Sequence, residues 1–196
     1  ITRGKFLPDG RFASGSADGS IKVWDLSGSA TTGSGKEQFV GEITAIAIQP
    51  DGRRAFSTGG GGPIRAWDLV KQREVFSLEG KYRAVLSPSG RLLVGIQRFY
   101  AMTANPPTHL GVWDTSTGML ITHLTHANSV TQIAITPDDR TVVTLCLDKK
   151  LRAWDAHSGA MRWEREADAL SRLTLTLDGK GVLVGSEIKE MTLMDV

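Results

Sequence analysis

The chain is poor in several things, and each shortage excludes a class of answer. Cys146 is the only cysteine among 196 residues, so no intrachain disulfide can form, and a single thiol leaves the redox compartment open. No uninterrupted apolar run approaches the ~18 residues needed to span a bilayer as a helix. The opening ITRGKFLPDG has neither a signal-type hydrophobic region nor an initiator Met, which leads to the expectation that these residues derive from a longer protein. Charge of one sign is also lacking: 23 Lys and Arg face 21 Asp and Glu, a net +2 in spite of a pI near 8.8. That balance gives no reason to expect a nucleic-acid or membrane partner. No basic stripe with interleaved aromatics appears, and the short basic stretches KYR (81–83) and DKKLR (148–152) read as solvated turns. A soluble protein is expected, with the cytoplasm favoured.

What is present is a period. Trp-Asp recurs at Trp24, Trp67, Trp113 and Trp154, with Met194-Asp195 as a decayed fifth copy, at spacings of 43, 46, 41 and 40 residues. A turn keeps the same beat: PDGR from Pro8, PDGR from Pro50, PSGR from Pro88, PDDR from Pro137 and LDGK from Leu177. Its distance to the Trp position is 16, 17, 25, 17 and 17 residues, so five units are present and only the third carries an insertion. The unit boundaries fall near 1–26, 27–69, 70–115, 116–156 and 157–196, within a single domain.

Inside a unit every signal is β. A short alternating stretch precedes each turn (ITAIAIQ, VTQIAIT, SRLTLTL), and another follows it (RAFSTG, RLLVGI, TVVTLC, GVLVGS). A third ends at the Trp (SIKVWD, PIRAWD, KLRAWD), and a fourth comes after a Ser, Thr and Gly-rich turn (REVFSLEG, MLITHLTH, AMRWERE). Four short strands in about 40 residues describe a propeller blade.

These residues resemble the WD-repeat β-propeller family over nearly the whole chain, in a style like that of bacterial members. The resemblance implies an all-β fold of four-stranded antiparallel blades. It also implies a buried polar network in each blade: a His before the inner strand, a Ser or Thr in the second, an Asp in the following turn and the Trp of the third. Copy four has all four, His126, Thr144, Asp148 and Trp154. Copy one keeps Ser14, Asp18 and Trp24. Copy two keeps Ser57 and Trp67, with Gly61 and Phe39 in the Asp and His places. Copy three keeps Trp113 but has no His, and copy five offers Val184, Ile188 and Met194. Replacing a whole network by apolar groups is close to neutral, whereas removing one member is not. By the family's strand order the chain holds five inner, five second, five third and four outer strands, an incomplete arc of a larger propeller. Open edges then lead to the expectation of self-association.

Ser, His and Asp in proximity invite a catalytic triad, but a set that recurs at blade spacing with its Asp in a hairpin turn lacks nucleophile–base geometry and reads as structural. The Gly35-Lys36 pair in SGSATTGSGKEQ (27–38) has Glu37 where a phosphate loop needs Ser or Thr, and reads as a connection. GGGG (59–62) reads as a loose hairpin. His123 and His126, three apart in a strand, point to opposite faces and form no metal pair. Cys146 reads as a small buried hydrophobe with one face toward the core and no activating cation nearby. No cofactor and no metal are expected.

The insertion QRFYAMTANPPTHL (97–110) is different, because Arg98, Phe99, Tyr100, Met102 and His109 are residue types suited to a partner surface. The family resemblance puts that loop on the face that commonly receives partners. The expected function is therefore a non-catalytic scaffold binding a protein or peptide. The alternatives are a regulatory or sensory domain of a larger enzyme, such as a bacterial protein kinase, and a propeller enzyme of the lactonase or quinoprotein kind. Inner strands such as TAIAIQ and TQIAIT, empty of clustered ligands, argue against the last.

Overall fold

A computed structural model describes residues 3–17, 21–24, 43–59, 62–71, 73–78, 84–97, 108–167, 172–176, 178–186 and 189–195. Among these the secondary structure is entirely β, with eighteen strands in five sheets. The first sheet runs β1 (Arg3–Phe6), β2 (Phe12–Gly15) and β3 (Ile21–Trp24); the second runs β4 (Ile43–Ile48), β5 (Arg54–Gly59), β6 (Ile64–Asp68) and β7 (Arg73–Leu78). The third holds β8 (Ala84–Leu86), β9 (Leu92–Gln97), β10 (Thr108–Asp114) and β11 (Leu120–His126), and the fourth β12 (Val130–Ile135), β13 (Thr141–Cys146), β14 (Lys150–Asp155) and β15 (Met161–Glu166). The fifth has β16 (Arg172–Leu175), β17 (Gly181–Ser186) and β18 (Lys189–Asp195). Strand order follows the chain in every sheet, as antiparallel hairpins require. The remaining expected strand, the outer one of copy one, would fall within 27–42, outside the described residues.

The turn between the first and second strand of each unit is built on a residue in the left-handed region: Gly10 (φ 87°), Gly52 (68°), Gly90 (78°) and Gly179 (70°), with Asp139 (61°) in copy four. The amide of that residue donates to the carbonyl three before it, as Gly52 does to Gln49 at 2.9 Å and Asp139 to Thr136 at 3.0 Å. The acidic residue before it caps the next amide: Asp51 Oδ1 accepts from Arg53 N at 2.9 Å and Asp138 Oδ1 from Arg140 N at 3.0 Å. This is the physical content of the PDGR beat.

Burial falls from the middle strands to the outer ones. All six residues of β13 (TVVTLC) are buried, whereas β15 (MRWERE) exposes every residue except the half-buried Trp163. The chain forms two compact units, 1–86 and 87–196. In the first, Leu7, Ala13, Ile21 and Val23 pack with Ile43, Ile48, Ala55, Trp67 and Leu69 across the first and second sheets. Gly15 permits this contact, since a Cβ there would stand 2.8 Å from Ile43 Cγ2. In the second, Val143, Leu145, Leu151 and Ala153 of the fourth sheet meet Val182 and Val184 of the fifth, with Trp163, Leu173 and Leu175 closing the contact. The Val, Leu and Ile side chains among these stabilise by about 1.5–3 kcal/mol each when fully buried.

Cys146 departs from the one-faced burial expected of it. It and Leu145 are both fully buried, because β13 lies in the middle of its sheet with both faces covered.

Candidate functional site

The polar groups singled out in the sequence are joined by direct bonds in three copies. Register places the second-strand Ser or Thr two residues along from the partner of the Trp: Phe12 pairs with Trp24 and Ser14 with Lys22, while Val142 pairs with Trp154 and Thr144 with Arg152. From there the indole reaches the hydroxyl. Trp24 Nε1 donates to Ser14 Oγ at 2.8 Å, Trp67 Nε1 to Ser57 Oγ at 2.8 Å, and Trp154 Nε1 to Thr144 Oγ1 at 3.0 Å. Ser57 and Thr144 are fully buried.

Copy four adds His126, whose Nε2 lies 2.8 Å from Thr144 Oγ1 and whose ring centroid lies 4.6 Å from that of Trp154. With Trp154 donating to Thr144, the hydroxyl proton turns to Nε2, closer than the Arg152 carbonyl at 3.4 Å. The ring proton then sits on Nδ1, near the Leu124 and Thr108 carbonyls but without a well-formed hydrogen bond. Burial, with the Arg152 charge adding to it, pushes the His126 pKa down from 6.5 to about 4, so the ring is neutral at physiological pH.

Asp148 is engaged elsewhere. Arg152 Nη2 donates to its Oδ2 at 2.6 Å and Nη1 to its Oδ1 at 3.3 Å, and the Lys150 amide donates to Oδ1 at 3.2 Å. Burial raises the Asp148 pKa, but the Arg152 hydrogen bonds and charge outweigh it and hold the carboxyl below its usual range. Arg152 also donates through Nε to Glu164 Oε2 at 2.7 Å, and Lys150 pairs with Glu164 as well. The result is a charged ladder from the turn after β13 to the outer strand, with Arg152, 8 % exposed, at its centre. Copy two repeats part of it, Arg65 Nη1 to Glu74 Oε2 at 2.6 Å. Arg152 was not among the residues picked out from sequence. A signal for it exists: Lys22, Arg65 and Arg152 each precede the Trp by two residues.

Arg152 also corrects the reading of Cys146, which does have a cation beside it. Burial nonetheless dominates and pushes the thiol up to about 11, leaving it an unreactive hydrophobe.

The Asp of Trp-Asp has its own task. Asp114 Oδ1 accepts from Ser116 N at 2.8 Å and Thr117 N at 2.9 Å, and Asp155 Oδ1 from His157 N at 3.1 Å and Ser158 N at 2.9 Å. Asp68 does the same for Val70 and Lys71 at 3.0 and 2.8 Å. Each carboxylate caps the turn into the outer strand, and its pKa is lowered: for Asp68 chiefly by the Lys71 amide, for Asp114 chiefly by the Ser116 hydroxyl, which donates to Oδ1 at 2.5 Å, and for Asp155 chiefly by Arg162, whose Nη2 lies 2.7 Å from Oδ2.

In copy three glycines take both network positions: Gly95 pairs with Gly111 where copy four has Thr144 and Arg152. Trp113, 3 % exposed, fills the space. In copy five Val184 packs into the apolar contact with the fourth sheet instead of bonding.

Of the candidate partner residues in the insertion, His109 is described: it is the second residue of β10, half-buried, with Nδ1 3.1 Å from Thr125 Oγ1 on β11. Arg98, Phe99, Tyr100 and Met102, as well as Asp18, Phe39, Gly61 and Ile188, lie outside the described residues. Among the described residues no three His, Cys, Asp or Glu side chains are grouped to hold a metal, and no helix is long and apolar enough to cross a membrane.

Antiparallel sheets of three or four strands among the described residues, repeated along the chain and each tied from its third strand to its second by a Trp or packed there by apolar groups, define a β-propeller repeat protein. The chain belongs to the WD-repeat family: the model described as "WD domain, G-beta repeat" matches residues 1–25 and 118–155. Similar proteins include Protein hir-1 of Neurospora crassa (27% identical over 149 residues, 62% of this chain and 14% of that protein). A WD repeat-containing protein of Schizosaccharomyces pombe is 22% identical over 210 residues, covering 100% of this chain and 52% of its own. A guanine nucleotide-binding protein subunit beta of rice is 30% identical over 168 residues, 76% of this chain and 41% of that protein. The chain thus spans from about a seventh to about half the length of these relatives. All three are eukaryotic, so the bacterial likeness of the turn style is not supported.

Proposed function

We propose that the chain is a non-catalytic scaffold for protein or peptide binding, with its partner surface where the copies differ, at Arg98, Phe99, Tyr100, Met102 and His109. The observation that carries this reading is how the polar groups are spent. Ser14, Ser57 and Thr144 are buried and accept indole protons, His126 is neutral against Thr144, and Asp148 is held by Arg152. The Thr144–His126 pair has the spacing of a nucleophile and its base, but a hydroxyl with no exposure cannot meet a substrate, and the Asp that would orient the His faces an Arg. The kinds of protein it resembles, a guanine nucleotide-binding subunit among them, agree with a role in assembly.

The repeats also suit a regulatory or sensory part of a larger enzyme. Affinity capture by the intact protein, compared with a Phe99→Ala, Tyr100→Ala variant of equal stability, tests the surface. Loss of a captured partner is expected, and equal capture by both proteins rejects the insertion as the docking element.

A further inference from the structure

We propose that Ser89 and Asp139 form a charge-sensitive latch between the third and fourth repeats, which a negative charge at position 89 opens. Both residues depart from the turn pattern, and they depart toward each other. Ser89 stands where the other turns have Asp9, Asp51, Asp138 and Asp178, and Asp139 stands where they have Gly10, Gly52, Gly90 and Gly179.

Two pairs of successive turns touch. A Cβ on Gly52 would lie 3.2 Å from Pro8 Cδ, and one on Gly179 would lie 2.5 Å from Pro137 Cδ, so in those two contacts the turn residue of one repeat rests on the Pro of the repeat before. At Asp139 a side chain occupies this place. Its Oδ2 accepts from Ser89 Oγ at 2.6 Å, the residue is only 8 % exposed, its φ is 61°, and Oδ1 has no hydrogen-bond partner. Ser89 is held in turn by Ser87 Oγ at 3.1 Å and by the Arg91 amide at 3.1 Å, and Ser87 accepts from Leu92 N at 3.1 Å.

Taken alone, each substitution is unfavourable. A β-carbon in the left-handed region and a buried carboxylate both cost stability, and a Ser caps its turn with a shorter reach than Asp. Together they fit. With the usual Asp at 89, two carboxylates would meet at hydrogen-bonding distance in a half-dry site. Ser89 removes that repulsion and donates the proton that Asp139 accepts. The residue at 89 is itself exposed, so the latch is open to solvent on one side.

The test uses Ser89→Asp, Asp139→Gly, Asp139→Asn and the doubles of the first with each of the others in the intact protein. It is read by thermal unfolding and by amide hydrogen exchange in the turns at 87–92 and 136–141. Ser89→Asp should lower the unfolding midpoint by several degrees and speed exchange in both turns. Adding Asp139→Gly, which restores the pairing of the other turns, or Asp139→Asn, which removes only the charge, should return most of the loss. If Ser89→Asp does not fold, recovery of folded protein in the doubles supports the latch. A harmless Ser89→Asp, or a loss that neither double repairs, overturns it.

Discussion

Trp113 lies against Gly111: a Cβ at residue 111 would stand 2.3 Å from Cη2 and 2.4 Å from Cζ2 of the indole. Copies two and four place an Arg at this position and a Ser or Thr beside it to receive the indole proton, whereas copy three has glycine at both. The ring has taken the room that two side chains left. Gly111→Ala should therefore destabilise by about 1–3 kcal/mol, as overpacking does. Chemical denaturation with tryptophan emission reads this directly, and an unchanged midpoint would show that the indole has room to move.

Copy four should be the least forgiving of lost hydroxyls. Thr144→Val strips the Trp154 N–H and His126 Nε2 of their partner at a fully buried site, at a cost of about 2 kcal/mol or more. Ser14→Ala should cost less, because Trp24 is half-buried and water can replace the bond. Matched denaturation curves check the order, and equal losses would mean that burial does not set the cost.

The strands and their turns were legible because they rest on local rules: alternation, and a Gly at the left-handed position of four of the five turns. Bond partners were less so. Trp-Asp was visible as a marker, but the turn-capping by Asp68, Asp114 and Asp155 was not, since a carboxylate's acceptor geometry is not written in spacing. Asp148 was grouped with His126, yet it faces Arg152, because a guanidinium two residues before the Trp outcompetes a neutral imidazole for a carboxylate. Cys146 looked one-sided because alternation describes edge and half-covered strands better than a central strand covered on both faces. Asp139 stood in plain view in PDDR, but its partner Ser89 lies fifty residues away and only the folded turns join them.

His126 predicts a specific acid sensitivity. Folded, it titrates near 4 and in the unfolded chain near 6.5, so between these values the unfolded state takes up a proton that the native state refuses. Stability is therefore full above the upper value and falls as pH drops through the window, by on the order of 3 kcal/mol in all. Asp148, with its pKa depressed, adds its own loss at lower pH. Denaturation across this range should show a slope that His126→Gln flattens; an unaltered slope in that variant would assign the effect to the carboxylates.

Lys149, exposed in the tight turn between β13 and β14, adopts a φ of 61°. Its amide donates to Cys146 O at 3.2 Å, so the turn is fixed, and Lys149→Gly relieves the strain without losing that bond. A gain on the order of 1 kcal/mol is expected from thermal or chemical unfolding.

The central claim is that the shared polar set holds the repeats together while the surface of copy three meets the partner. One comparison separates the two: partner capture and thermal midpoint measured together on Thr144→Val and on Phe99→Ala, Tyr100→Ala. The account predicts a lowered midpoint with capture retained, below that midpoint, for the first protein, and an unchanged midpoint with capture lost for the second. Capture abolished by Thr144→Val in a still-folded protein, with the aromatic variant binding normally, would contradict it.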